Sequence, residues 1–386
     1  MSNPTNNTMP PMTPPLPRNV DTVLVRTQFE ARSLPAPARG FFGSVPWFRH
    51  LADTIVDRQH ALRIYSAGAK STDQHPALTL PMFHRIAGRR WFEPRRLEAL
   101  ANYYSPLFEP LFDPLPGPLL QPAPELALTA IALVNKIAQE RPRWDAVDLH
   151  PMDSSDALFP KLEASFRAAG MAVQRYFCFG NWYLDVNGRS YDAYFDSLPS
   201  QLRHTLKRKS ASLAARLRID IVTGGERLEQ TIAAYEAVYL SSWKPPETFP
   251  AFIPGLMRLC AAQGSLRLGV AYIDEQPAAA QFWIAHNGVA SIYKLAYDER
   301  LARLSAGSIL TAALMRHVID IDAVREVDFL SGDDAYKSDW MPHRRERWGL
   351  TAFNLRTLRG ILLALKNFGG KGAKRCIHAV FRTDAH

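Results

Sequence analysis

Cysteine is scarce. The chain has three, Cys178, Cys260 and Cys376, odd in number and far apart. No Cys-x-x-Cys spacing occurs, which argues against a disulfide framework or a zinc ribbon and for reduced thiols. Long apolar runs are also missing. Without 18 consecutive apolar residues, no membrane-spanning helix is expected. The first residues have neither a basic start nor an apolar core, so the expected location is cytoplasmic. There is no His-Glu-x-x-His, nucleophile elbow or dinucleotide glycine fingerprint, and Gly369-Gly-Lys-Gly lacks the spacing of a phosphate loop. His150, Asp153 and Asp156 follow a strand, but Pro151 and their irregular spacing argue against a metal site, and no metal is expected.

What is present points to a large, basic, mixed protein. At 386 residues and 47% hydrophobic, the chain can bury a substantial core and suggests two domains. A net charge of +9 attracts anions, whether phosphates, acidic glycans, RNA or an anionic leaflet. The Pro/Thr/Asn-rich residues 1–19 read as a disordered tail. In the first half, strands and helices alternate. Strands are expected at Thr22–Arg26, Ala61–Tyr65, Ala77–Leu80, Gly88–Trp91, Asp145–Leu149, Met171–Phe179 and Trp182–Val186. Helices are expected at Ser44–Arg58, Glu125–Glu140 and Ser155–Ala169, the last closed by Gly170. Residues 105–118 are rich in proline, which removes the backbone donors that a pyrophosphate needs.

The middle of the chain is basic. Residues 198–213 are expected to be helical, with Leu202, Leu206, Leu213 and Leu217 near one face and Arg203, Lys207, Arg208 and Lys209 outside, either solvated or gripping an anion. A strand at 217–222 and helices at about 227–242 and 249–262 follow. Trp243-Lys-Pro-Pro-Glu247 joins the two helices. A three-strand meander then runs through Leu266–Ile273, Ala278–Ala285 and Ala290–Tyr297, with Asn287-Gly288 as a type I′ hairpin signal. Arg303-Leu-Ser-Ala-Gly-Ser308 opens an apolar helix at 309–319, and a strand at 326–330 leads into Ser331-Gly-Asp-Asp-Ala-Tyr-Lys-Ser-Asp-Trp340. Alternation along Ser291–Tyr297 puts Tyr293 on one face and Lys294 on the other. The tail at 358–386 begins as an apolar, basic helix that either packs on the protein or contacts a membrane surface.

This strand order resembles the catalytic half of the GNAT acyltransferases. Tyr293-Lys-Leu-Ala-Tyr-Asp298, Ser305-Ala-Gly307, Asp328 and Gly332–Trp340 are similar to the CelD/BcsL-type acetyltransferases. That family is named for association with bacterial cellulose and exopolysaccharide clusters, and is related to the Fem-type peptidyltransferases. The likeness covers about residues 190–355 strongly and 20–190 weakly. It implies an α+β, duplicated GNAT-like fold of mixed sheets flanked by helices, with a non-catalytic unit at 20–190 and a catalytic unit at 191–357. It also implies acetyl-CoA or another acyl-CoA as co-substrate, held between strands Ser291–Tyr297 and Glu326–Leu330, a backbone N–H of the first polarising the thioester.

Site assignments follow from the resemblance. The pyrophosphate cradle is expected at Arg303, Ser305, Ala306, Gly307 and Ser308. Ala306 and Ser308 depart from the usual Gln/Arg-x-x-Gly-x-Gly/Ala pattern, and alone the loop is only a helix cap. Asp333 or Asp334 would take the acceptor proton, Tyr336 would protonate the thiolate, and Lys337 would bind an anion or developing charge. By spacing alone, the aspartates cap a loop. Trp243, Lys244, Glu247, Gln281, Tyr293, Lys294 and Trp340 are the expected substrate-binding residues. The acceptor is an amine or hydroxyl, such as a sugar or exopolysaccharide precursor. No DNA is expected. Two rivals stay open: aminoacyl transfer from tRNA, against which no coiled-coil arm is visible, and a non-catalytic scaffold in polysaccharide biosynthesis.

Overall fold

The computed structural model describes residues 23–29, 40–67, 78–87, 90, 92–112 and 124–380, with side chains 124–125 and 370–380 excepted. The expected tail at 1–19, most of the expected strand Gly88–Trp91 and the last prolines of 105–118 lie outside the described residues.

The strands of the first half are β1 (Val23–Arg26), β2 (His60–Ala67), β3 (Leu78–Arg85), β4 (Arg96–Ala99), β5 (Leu111–Phe112), β6 (Ala146–Asp153) and β7 (Met171–Asp185). They are followed by β8 (Leu217–Val222), β9 (Leu266–Ile273), β10 (Gln276–His286), β11 (Val289–Tyr297), β12 (Glu326–Asp328) and β13 (His343–Asn354). All join one mixed sheet in the order β1-β2-β3-β4-β6-β13-β7-β12-β11-β10-β9-β8, with β5 on β3. The helices are α1 (Val45–Ile55), α2 (Pro124–Gln139), α3 (Leu158–Ala168), α4 (Tyr191–Ser197), α5 (Ser200–Leu213), α6 (Leu228–Leu240), α7 (Phe252–Ala262), α8 (Ala306–Arg316) and α9 (Leu358–Val380).

The duplication is visible in two short parallel ladders. Arg96, Leu97 and Glu98 pair with Ala146, Val147 and Asp148, and α2 makes the crossover. Val289, Ala290 and Ser291 pair with Glu326, Val327 and Asp328, and α8 makes that crossover. Every other ladder among the described residues is antiparallel. The halves are stitched through strand exchange. β13, late in the chain, lies between β6 and β7, and the end of β7 pairs with β12. One core packs α1, α2, α3, α6 and α7 against the sheet, with Trp47, Phe48, Trp144 and Phe282 fully buried. A second core packs α4, α5 and α8 on the other side of the second half, around Trp283 and Leu310.

Local signals explain many boundaries. Ser44 caps α1 by accepting from the Trp47 N–H, with Pro46 in the first turn. Asn287 and Gly288 both adopt positive φ, 47° and 74°, as a type I′ turn requires. Three expectations need correction. β7 is one strand where two, Met171–Phe179 and Trp182–Val186, were expected, because Asn181 between them is buried and hydrogen-bonded to Asp328 and Arg345. Helix α8 begins at Ala306 and passes into a π-helical turn at His317–Ile321, so Ala306, Gly307 and Ser308 form its first turn. Strand β12 stops at Asp328.

Candidate active site

The parallel ladder between β11 and β12 stops at Ser291 and Asp328. The next residues, Ile292 and Phe329, no longer pair, and both line a cavity of about 340 Å³. Two local devices open this splay. Opposite β10, Phe282 faces Lys294 and Trp283 faces Ile292, so Tyr293 is an extra residue that bulges β11. On the other side, Asp328 accepts from the Leu330 N–H at 2.5 Å and from Asn181 Nδ2 at 2.5 Å. Leu330 is thereby held left-handed at φ 57°, which turns the chain away from β11. The bulge also overturns the expected alternation. The Tyr293 hydroxyl donates to Tyr104 O at 2.8 Å while Lys294 Nζ lies 5.1 Å above the Tyr104 ring, so the two neighbours share a side.

The cavity is basic. Lys244, Lys294 and Lys337 line it together with Trp243, Asp334 and Tyr336, and Tyr103, Tyr104 and Pro106 close it from the first half. Burial, reinforced by Lys294 and Lys337, pushes the Lys244 ammonium down to about 8. Lys294 pairs with Glu247 at 2.9 Å, and Tyr104 donates to the same carboxylate at 2.7 Å. Burial favours protonation of Glu247, but these bonds outweigh it and hold the carboxyl below its ordinary value. Lys337 is buried, donates to Ser331 O at 2.7 Å and Gly332 O at 3.2 Å, and sits 3.3 Å from Asp334. Tyr336 packs edge-on against Phe329, and burial followed by the Asp334 charge pushes its phenol up to about 12.

The expected cradle sits at the start of α8. Ser305 is left-handed at φ 60° and its side chain makes no capping bond. The first intrahelical bond runs from the Ile309 N–H to Ser305 O, which leaves the N–H groups of Ala306, Gly307 and Ser308 without acceptors inside the helix. Arg303 lies in the last turn of the preceding 3₁₀ helix (Glu299–Leu304), and Lys209 Nζ donates to Arg303 O at 2.6 Å, tying α5 to the loop. A Cβ built on Gly307 would stand 3.5 Å from the Tyr297 ring, which lies 4.6 Å from the ring of Trp243 on the cavity wall. The helix start and the cavity are therefore linked through Tyr297 and Trp243.

Four expected residues lie elsewhere or act indirectly. Asp333 turns away from the cavity to a bidentate pair with Arg344 and accepts from Trp182 Nε1 at 2.8 Å; Arg344 above all holds its carboxyl below the usual range. Trp340 belongs to the second core, its carbonyl accepting from Tyr194. Gln281 is buried and braces α8, donating to Gly307 O at 2.9 Å and Thr311 Oγ1 at 2.8 Å. Glu247 stands behind the wall, acting through Lys294 and Tyr104.

Sequence reasoning missed a second cavity of about 240 Å³ that meets the first at Pro106 and Leu330. Its polar wall crosses the strands: Arg347 donates to Asp153 at 2.6 Å, and Arg347 and Arg345 both donate to Asn181 Oδ1. Arg345 also pairs with Asp328 and Glu326. The i, i+2 spacing of Arg345 and Arg347 was visible as one strand face, but their partners come from distant strands.

The splay between a bulged strand and its parallel neighbour, with a helix start beside it, decides the fold. It is the GNAT fold. Residues 200–338 match the acetyltransferase (GNAT) domain family. The solved structure of FemX is similar at 9% identity, covering 85% of this chain and 95% of its own, with a TM-score of 0.57. A tandem GNAT protein from the clavulanic acid biosynthesis pathway aligns at 15% identity, 85% and 98% coverage and TM-score 0.43. A conserved protein from Bacteroides thetaiotaomicron aligns at 9% identity, 80% and 89% coverage and TM-score 0.46. No curated protein matches the sequence.

Proposed function

We propose that this protein transfers an acetyl or other acyl group from acyl-CoA to an amine or hydroxyl acceptor at the β11–β12 splay of its second GNAT unit. The observation that carries this reading is the ladder that ends at Ser291 and opens into a lysine-lined cavity beside the start of α8. Acyl-CoA supplies the thioester; the chain supplies the cradle, the polarising donors and the proton transfers. Backbone N–H groups of Ala306, Gly307 and Ser308 meet the pyrophosphate. Backbone of β11 past Ser291, left without a ladder partner on its β12 side, polarises the carbonyl. Lys244 takes the acceptor proton as the new bond to the acyl carbon forms, and Tyr336 donates to the sulfur as the C–S bond breaks.

The second cavity, with Ser291, Asn181 and Arg345 on its wall, suits an acceptor rich in hydroxyl or amino groups. The motifs from Tyr293 to Trp340 support the narrower CelD/BcsL-type assignment, with a sugar or exopolysaccharide precursor as acceptor in the cytoplasm. The first unit is assigned a non-catalytic role. Past Asp148, where its own ladder ends, the Phe108 N–H donates to Pro151 O at 2.5 Å, so that a chain segment covers this part of β6. The test is thiol release from acetyl-CoA with a panel of amine and hydroxyl acceptors, matched by the mass of the acylated product. Transfer from aminoacyl-tRNA but not from any acyl-CoA would replace the donor; no transfer from either would leave the scaffold reading.

A further inference from the structure

The last described helix, α9, has two apolar faces, and the fold uses one. It docks on the sheet through Gly360, Leu363 and Ala364 against Ala146 and Phe353. The approach is close: a Cβ built on Gly360 would stand 2.1 Å from Asn354 O. The opposite face carries Leu358, Ile361, Leu362 and Leu365 at the i, i+3, i+4, i+7 spacing of one helical stripe. These residues are 73%, 37%, 57% and 65% exposed. Isolated exposed leucines are ordinary, but four in one stripe on a helix already anchored by its other face are not.

Charge selects the occupant. Between Glu346 and Asp384 the sequence has no Asp or Glu, while Arg356, Arg359, Lys366, Lys371, Lys374 and Arg375 lie on or beside the helix. Among the described residues no helix is long and apolar enough to cross a membrane. We propose that α9 lies flat on an anionic lipid bilayer, its leucine stripe in the headgroup–acyl boundary and its basic residues among anionic headgroups. Among the described side chains, neither the stripe nor Arg356, Arg359 and Lys366 lines the acyl cavity, so this inference stands independently of the transfer reaction.

The test is flotation of the full-length protein with vesicles of phosphatidylcholine alone or with added phosphatidylglycerol. Binding to the anionic vesicles is expected to exceed binding to neutral ones at least about tenfold and to weaken as salt shortens the screening length. Leu362→Glu with Leu365→Glu should cut it about tenfold or more without lowering the melting temperature, because both side chains are exposed. Lys366→Glu should cut it about fivefold or more. Three results would overturn the proposal: no flotation, equal affinity for neutral vesicles, or a wild-type dimer that the double variant converts to monomer, which would make a second copy the occupant.

Discussion

Lys244 gives the sharpest chemical prediction. Its ammonium is pushed down to about 8 by burial and by two neighbouring lysines on the same wall. The other candidates for accepting a proton are engaged: Asp333 by Arg344, Asp334 by Lys337, Glu247 by Lys294 and Tyr104, and Lys337 by two carbonyls and Asp334. With a value near 8, about one-tenth of Lys244 is neutral at pH 7 and about nine-tenths at pH 9. Turnover of wild type should therefore rise about tenfold across that interval and level off above it. Lys244→Arg keeps the positive charge and cannot release its proton near neutrality. It should retain acyl-CoA binding, lose about 10²-fold or more in kcat at pH 8, and lose the rise with pH. The assay is thiol release under saturating acyl-CoA from pH 6.5 to 9.5, with binding followed separately. A wild-type rate that falls as pH rises would mean the charged form of Lys244 is needed, as in holding an anionic acceptor. An unchanged profile in Lys244→Arg would remove the residue from proton transfer. The same shift has a stability sign. From about pH 8 up to the usual lysine value, the unfolded chain keeps a proton that the native site has released, so stability gains with pH in that window.

Other outcomes follow from single contacts. Tyr336→Phe removes a 44% exposed side chain's hydroxyl, so stability should move by less than about 0.5 kcal/mol while kcat falls about 10²-fold with acyl-CoA binding intact; unchanged kcat would deny it the donor role. Asp328→Ala strips a buried partner from Arg345 and frees Leu330, and should cost about 3–5 kcal/mol in denaturant unfolding. A loss under about 1 kcal/mol would show that Glu326 alone satisfies Arg345. A Cβ on Gly349 would stand 2.2 Å from the Tyr176 ring, which crosses over it to bond Asp148 at 2.7 Å. Gly349→Ala should therefore cost about 1–3 kcal/mol, and an unshifted unfolding midpoint would contradict the packing.

Local patterns carried the second half of the fold well. The meander from Leu266 to Tyr297 follows alternation and the Asn287-Gly288 turn, both properties of neighbouring residues. What escaped the sequence was mostly non-local. Nothing near His343–Asn354 signals that this strand inserts between β6 and β7, because that placement depends on partners up to about two hundred residues away. The bulge at Tyr293 put Lys294 on its neighbour's side, a shift that strict alternation cannot register. Asp333 and Asp334 are adjacent and chemically alike, yet only Asp334 lines the cavity; Arg344 and Trp182, from other strands, draw Asp333 away. Tyr104, just before the proline-rich residues 105–118 and given no role from the sequence, is a wall of the site, stacked 4.0 Å from Phe252 and bonded to Glu247.

Acyl-CoA binding at the start of α8 is tested by the melting temperature with and without millimolar acetyl-CoA, for wild type and Gly307→Trp. Ligand at about 100 times its dissociation constant adds roughly 2.7 kcal/mol, a shift of several degrees. A Cβ at Gly307 already stands 3.5 Å from Tyr297, so a tryptophan there must crowd the start of α8 where the phosphates are placed. Acyl-CoA held by this loop gives a clear rise in wild type that is absent in a folded Gly307→Trp protein. No rise in folded wild type, or an equal rise in the variant, would contradict acyl-CoA binding at this loop.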